Sequence, residues 1–188
     1  MKRLISIALT LVMLLSSFAA ITVSADTASE TTYANTVELT QENIYGYFKS
    51  NGGDTEFNFA ANTKYVLTED ITLDSATLTG HPVIYTAATA MLDGDGHSIY
   101  YTSTNDKRFS LRARGGVIQD VNFGSDESRF GTYYSFMGTD AGIAGTLTEW
   151  NNVNFYLVYS NGNTYKDHFS GLARFTKGDH TFKNCHMY

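Results

Sequence analysis

The segment Ile118-Gln119-Asp120-Val121-Asn122-Phe123 decides the fold, because the same pattern recurs at Trp150–Phe155 and at Phe182–Met187 without a gap. Each copy begins 32 residues after the one before it, at 118, 150 and 182. A fixed period of this length is typical of repeat architectures, in which each unit stacks on the next.

The order of residues inside each copy indicates two short strands joined by a corner. Val153 and Phe155 alternate with polar Asn154, as one buried face of a strand requires. Trp150 lies three residues before Val153 and would point outward in a continuous strand. A bend at Asn151-Asn152 returns both side chains to the inside, and Asp and Asn tolerate the left-handed backbone angles that such a bend needs.

Looser copies of the pattern occur earlier, at Glu69–Leu73 and Gly96–Ile99. The corner positions then lie 26, 24, 32 and 32 residues apart, at Asp70, Gly96, Asp120, Asn152 and Asn184. Two strands that meet at a corner in every repeat describe one coil of a parallel β-helix. We therefore predict an all-β fold with about five such coils over residues 39–188.

One short helix is expected before the coils. Thr40 can accept hydrogen bonds from the first N–H groups of a helix, and Leu39 with Ile44 has the spacing of a hydrophobic staple. Tyr47 and Phe48 continue the apolar stripe until Asn51-Gly52-Gly53 ends it. This pattern predicts an α-helix from Thr40 to Lys49 that caps the first coil.

Two segments carry a resemblance to a known group. Tyr65–Leu73, followed by Leu92-Asp93-Gly94-Asp95-Gly96-His97-Ser98-Ile99, resembles the opening of right-handed parallel β-helix proteins of the pectate-lyase-like superfamily. The resemblance covers roughly residues 39–188 and implies a right-handed helix plugged by an amphipathic N-terminal helix. It leaves function open, since the superfamily includes polysaccharide lyases, glycoside hydrolases, phage tailspikes and bacterial surface repeat proteins.

The N-terminus has the three parts of a secretory signal peptide. Lys2 and Arg3 precede an apolar run from Leu4 to Ala20, and we expect cleavage after Val23-Ser24-Ala25. The alternative is a membrane anchor, but several Ser and Thr residues dilute the apolar run. The polar residues 26–38 then form a disordered lead. The mature chain is expected to be secreted or held at the cell surface, without membrane insertion.

Charge and cysteine content exclude several partners and bonds. Removal of Lys2 and Arg3 leaves 13 − 2 = 11 basic residues against 19 acidic ones, a formal charge of −8. Nucleic acid and anionic membranes are therefore not expected to bind. Cys185 is the single cysteine, so no intramolecular disulfide forms, and its alignment with Val121 and Val153 places it inside the coil.

Metal and cofactor sites are weakly indicated. Asp93-Gly94-Asp95-Gly96 superficially resembles the start of a calcium loop but lacks the later oxygen ligands, so a tight turn is the better interpretation and calcium a weak one. None of the five histidines has the spacing that sets two imidazoles on one metal. No cofactor is expected.

A polysaccharide lyase site would need carboxylates to hold calcium and a basic residue to take the proton. The two outward ladders predicted by the repeat, Gln119-Asn151-Lys183 and Asn122-Asn154-His186, contain no carboxylate cluster. Basic residues that could act as the base or bind an acidic sugar are scattered, at Arg112, Arg114, Arg129, Lys166 and Arg174.

Aromatic residues are concentrated in two long insertions, 124–145 and 156–178. They include Tyr133, Tyr134, Phe136, Tyr156, Tyr159, Tyr165 and Phe169. Tyr133 and Tyr165 also differ by 32 residues and should lie near each other in stacked coils. Exposed aromatic rings beside polar residues form a sugar-stacking surface, and the alternative is a hydrophobic cluster beneath the loops. Tyr133, Tyr134, Phe136, Tyr165 and Arg174 are the predicted ligand-binding residues.

These observations favour an adhesin-like module that binds glycan or a host or matrix surface without catalysis. The alternatives are the N-terminal part of a polysaccharide lyase or glycoside hydrolase acting on pectin-like polymers, and a purely structural stalk. The last repeat lies at the chain end without a capping element. We expect either a fragment, which we favour, or an edge closed by further coils or another subunit.

Overall fold

The structure is a computed structural model that describes residues 31–102, 109–132, 135–137, 146–159, 171–173 and 177–188. The chain divides into two units, Met1–Thr32 and Tyr33–Tyr188, and every strand within the described ranges belongs to the second. The fold is an all-β parallel solenoid, which confirms the predicted fold class.

Sheet 1 contains the first strand of every coil. Its six strands pair in parallel throughout, in the order β1 (Asn35–Leu39), β4 (Thr63–Leu67), β7 (Met91–Asp93), β10 (Gly116–Gln119), β14 (Leu147–Asn151) and β18 (Asp179–Lys183). Strands that are neighbours in this sheet are therefore one full coil apart in sequence.

Sheet 2 contains the strand after the corner. Its five strands are also parallel: β5 (Ile71–Asp74), β8 (Ser98–Thr102), β11 (Asn122–Phe123), β15 (Asn154–Phe155) and β19 (His186–Met187). The register pairs Asn122 with Asn154 and Asn154 with His186, as the 32-residue repeat predicts.

The third side of the solenoid is less regular. Sheet 3 consists of β2 (Lys49–Asn51), β3 (Asp54–Asn58), β6 (His81–Tyr85) and β9 (Ser110–Arg112). In later coils two separate parallel pairs occur, β12 (Phe130–Thr132) with β16 (Leu157–Tyr159), and β13 (Ser135–Met137) with β17 (Gly171–Ala173).

The solenoid makes about four turns, fewer than the five coils predicted. The five corners are followed by the five strands of sheet 2, and successive strands of that sheet are separated by four full turns. Asp120, Asn152 and Asn184 adopt φ values of 51°, 56° and 52°, in the left-handed region, and Gly96 has a φ of 85°. Asp70 has no positive φ and instead accepts a hydrogen bond from the Ser98 N–H of the next coil, 2.8 Å long.

Inward residues of successive coils form one continuous core. Trp150 and Val153 are fully buried, and the rings of Phe123 and Phe155 stack with centroids 5.8 Å apart. Fully burying an apolar side chain of this size contributes about 1.5–3 kcal/mol. The core therefore supplies stability in a chain that has no disulfide.

The predicted α-helix from Thr40 to Lys49 is wrong. The structure has a 3₁₀ helix at Ile44–Tyr47, and Lys49–Asn51 instead form β2, which pairs antiparallel with β3. Lys49, the last residue of the predicted helix, is extended in this hairpin, and β1 ends at Leu39, so the chain between these two strands forms turns and one 3₁₀ segment. Ile44 and Phe48 are still buried in the core. No helix in the described ranges has the length and apolar character needed to cross a bilayer.

Part of the predicted disordered lead is ordered. β1 begins at Asn35, within the 26–38 segment, and pairs with β4 in parallel. Asn35, Thr36 and Glu38 are exposed, and of the strand residues within the predicted lead only Val37 is partly buried. Composition alone therefore gave no sign of the strand.

Candidate functional site

The corner between sheets 1 and 2 carries a ladder of polar side chains on its outer surface. Asn152 Nδ2 donates to Asp120 Oδ1 over 2.8 Å, and Asn184 Nδ2 donates to Asn152 Oδ1 over 3.2 Å. The ladder forms because equivalent residues of adjacent coils are about 4.8 Å apart. The left-handed backbone at each corner directs these short side chains along the stack.

A second ladder runs beside the first on the outer face of sheet 2. Asn154 Nδ2 donates to Asn122 Oδ1 over 2.8 Å, and Asn122 Nδ2 donates to the Gly96 carbonyl over 3.1 Å. His186 occupies the next position in register.

The two ladders enclose a shallow open groove of about 480 Å³, which we call the corner groove. Its lining consists of Asp95, Gly96, Asp120, Asn122, Asn152 and Asn154. Each amide offers two N–H donors and a carbonyl oxygen with two lone pairs, and the ladders use only part of this capacity. The corner groove therefore presents alternating donors and acceptors, the arrangement that a chain of hydroxyl groups matches.

An aromatic surface adjoins the second ladder. Tyr156 and Tyr188 each follow a ladder residue by two positions, so their side chains lie on the same face of sheet 2. Their rings are parallel within 6°, with centroids 4.5 Å apart, and Tyr188 is 53% exposed. We call this pair the tyrosine platform.

The backbone holds the tyrosine platform in place. The Tyr156 N–H donates to the Phe123 carbonyl, and the Tyr188 N–H donates to the Phe155 carbonyl, each over 2.9 Å. Desolvation raises the pKa of the Tyr156 hydroxyl, with further contributions from Tyr188 and the carboxylate of Asp126. The Tyr156 phenol is thus a neutral hydrogen-bonding group at neutral pH.

The structure places the Asp93–Gly96 segment in a tight turn whose carboxylate is used internally. Asp93 Oδ2 lies 2.7 Å from Lys64 Nζ, and Gln119 Nε2 donates to the same oxygen. The hydrogen bond from Lys64 to Asp93 is the main reason that the pKa of Lys64 is raised. Within the described ranges, no group of three or more His, Cys, Asp or Glu side chains is placed to hold a metal ion.

Gly94 is required in this turn by packing. A Cβ atom on Gly94 would lie 2.4 Å from the Asp120 carbonyl oxygen and 2.5 Å from the Val121 Cα of the next coil. Close approach of backbone to backbone is one of the main uses of glycine. Gly94 thus serves coil stacking, whereas Gly96 has open space around its Cβ position and instead supplies a left-handed φ of 85°.

Phe136 was wrongly predicted to bind ligand. It is 0% exposed, and its ring centroid lies 4.5 Å from that of Phe123 and 5.6 Å from that of Phe155. The side chain belongs to the core, in agreement with the alternative of a buried cluster beneath the loops. The other predicted ligand-binding residues, Tyr133, Tyr134, Tyr165 and Arg174, lie outside the described residues, as do Lys166 and Phe169.

The predicted basic residues that are described lie away from the corner groove. Arg114 and Arg112 sit over the Tyr85 ring of sheet 3, at 3.8 and 5.3 Å from its centroid, and Arg112 Nη1 donates to the Tyr85 hydroxyl. Arg129 pairs with Asp126 over 3.2 Å. These arginines are engaged within the fold.

Sequence reasoning missed Tyr188 as a partner of Tyr156. The signal was available, because 188 − 156 = 32, the same offset that linked the other repeat residues. Asp95 was missed because its segment was interpreted as a tight turn, with calcium binding as the alternative.

Comparison of the chain with models of protein families, with curated proteins and with solved structures found no match.

Proposed function

We propose that this chain is a secreted or cell-surface parallel β-helix module that binds glycan without catalysis, in an adhesin-like role. The observation that carries the proposal is the exposed, stacked tyrosine platform, whose rings follow the ladder residues Asn154 and His186 by two positions. Sugars present both hydroxyl groups and apolar ring faces, so they need hydrogen-bonding groups beside aromatic rings.

The charges around the groove favour neutral glycans over polymers of uronic acids. Asp95 and Asp120 line the groove. The negative charges of Asp126 and Glu127 help to raise the pKa of Tyr156. Carboxylates accept hydrogen bonds from neutral hydroxyl groups, whereas a polyanionic chain would be repelled.

Aromatic residues of the two long insertions extend the proposal. Tyr133, Tyr134, Tyr165 and Arg174 are proposed to add further contacts to the bound glycan. Membership of the right-handed, pectate-lyase-like superfamily is likewise a proposal, supported by the parallel solenoid and by the Tyr65–Leu73 and Leu92–Ile99 segments.

Binding of the purified protein to plant, bacterial and host glycans tests the proposal. Tyr188→Ala should weaken binding about tenfold, because a ring contact worth about 1.4 kcal/mol corresponds to a factor of ten in affinity. Tyr188→Phe should retain most of the binding, since it keeps the ring. Asn154→Ala should also weaken binding, while Asn58→Ala, an exposed amide on sheet 3, is the matched control.

The panel also separates the alternatives. Retention on uronic acid polymers in preference to neutral glycans would contradict the preference for neutral ligands, and dependence of that retention on added calcium would point to a cation bridge. Release of unsaturated product would support the alternative of a polysaccharide lyase acting on pectin-like polymers. Absence of binding to every glycan would favour a structural stalk.

A further inference from the structure

Strand β18 has a paired edge and an open edge. It pairs with β14, and within the described ranges no other strand pairs with it. The Asp179 N–H donates to the Thr146 carbonyl, and the Lys183 carbonyl accepts from Asn152 N–H, so these residues direct their backbone groups toward β14. Because the direction alternates along a strand, the backbone groups of His180 and Phe182 face the open edge.

Apolar side chains are exposed at the same end of the solenoid. Phe182 is 41% exposed and Met187 is 63% exposed, although their register partners in the preceding coil, Trp150 and Phe155, are buried. An open strand edge beside exposed apolar side chains is a site where another strand pairs.

The sequence of β18 is complementary to itself when reversed. Asp179 and Lys183 lie two residues on either side of Thr181, and both are exposed. In an antiparallel pair of two β18 strands centred on Thr181, each Asp179 faces Lys183 of the other copy, and each His180 faces Phe182. The residues whose backbone groups face the open edge are thus the ones that would form the hydrogen-bonded pairs.

We propose that β18 pairs antiparallel with β18 of a second copy of this chain, forming a twofold-symmetric dimer. The opposite cross-strand charges stabilise this register, and the pairing covers Phe182. Head-to-tail stacking onto the other end of the solenoid is disfavoured, because there the core is already covered by Ile44 and Phe48, which are buried. The inference is independent of the proposed glycan function.

Charge exchange tests the register. The unaltered protein should have twice the monomer mass by light scattering. Asp179→Lys and Lys183→Asp should each give monomers, since each places like charges opposite one another, and the double exchange should restore the dimer. Circular dichroism of each variant shows whether the fold persists. A monomeric unaltered protein, or a dimer that both single variants leave intact, would overturn the proposal.

A cross-link tests the geometry. Thr181 faces Thr181 of the second copy, in a pair without backbone hydrogen bonds, where the Cα atoms are about 4.5 Å apart and a disulfide is possible. Thr181→Cys in a Cys185→Ser background should form a disulfide dimer under mild oxidation. Glu149→Cys is the matched control, because Glu149 is the register partner of Thr181 on the interior strand β14. Equal cross-linking of both variants would count against the proposed pairing.

Discussion

On the inner side of the corner between sheets 1 and 2, Val121 and Val153 are fully buried against the rings of the core. On the outer side of the same corner, the neighbouring Asn122 and Asn152 present amides to the corner groove. The same stretch of backbone thus carries buried apolar side chains on its inner side, the inner layer, and polar side chains on its outer side, the outer layer. The inner layer determines the stack of coils, and the outer layer is available for binding because it bears little of the packing.

The largest expected effect is in the inner layer. Trp150 is fully buried and stacks on Phe182 with centroids 5.6 Å apart. Trp150→Ala should lower the free energy of unfolding by about 3–5 kcal/mol, through lost burial and the cavity that remains. Denaturant unfolding of this variant and of Trp150→Phe measures the difference. A loss no larger than that of an exposed-site variant would mean that the last described coil is not part of the cooperative core.

Next in size is the backbone contact between coils. Gly94→Ala should destabilise the fold by about 1–3 kcal/mol, because the added methyl group meets the Asp120 carbonyl and must displace it. Gly46→Ala is the matched control, since nothing lies within 4 Å of the Cβ position there. Thermal unfolding of the two variants should give a lower midpoint only for Gly94→Ala. Equal midpoints would show that the coils can separate at this corner without cost.

A smaller effect is expected in the outer layer. Asn152→Ala should cost about 1–2 kcal/mol, chiefly because alanine tolerates the left-handed backbone poorly. Asn152→Gly keeps the backbone freedom and removes only the ladder, so it should cost less. If both substitutions cost the same in denaturant unfolding, the amide ladder and not the backbone angle is what stabilises the corner.

The repeat made the corner predictable, and the reason is physical. A 32-residue period fixes the register of every residue near the corner, so Asn122, Asn154 and His186 could be aligned before the structure was known. The same 32-residue offset pairs Tyr188 with Tyr156. Sequence positions near the repeat therefore translate directly into spatial neighbours.

Elements off the repeat were less predictable. The predicted N-terminal helix is wrong because the chain becomes extended at Lys49 and pairs with β3, a contact that local helical spacing does not report. Phe136 was misplaced because its position in an insertion suggested a surface loop, whereas β13 turns its side chain into the core. Neither segment lies within a copy of the 32-residue repeat.

The smallest expected effect lies where the inner layer approaches the surface. Trp150 Nε1 donates to His180 Nδ1 over 3.3 Å. Burial lowers the pKa of His180 from 6.5, although a hydrogen bond with the Lys177 backbone and the charge of Asp179 oppose the shift. The unfolded chain therefore binds a proton at His180 more readily than the folded chain does.

At high pH His180 is neutral in both states and does not affect the free energy of unfolding. As the pH drops below about 6.5, the unfolded chain takes up a proton first, so the free energy of unfolding falls. The decrease should level off once the pH lies below the pKa of the folded state. His180→Gln keeps an acceptor for Trp150 but cannot take up the proton, so its unfolding midpoint should vary less between pH 7 and pH 5 than that of the unaltered protein. If both proteins lose the same stability over this range, protonation occurs elsewhere, and His180 belongs with the solvent-facing residues of the outer layer.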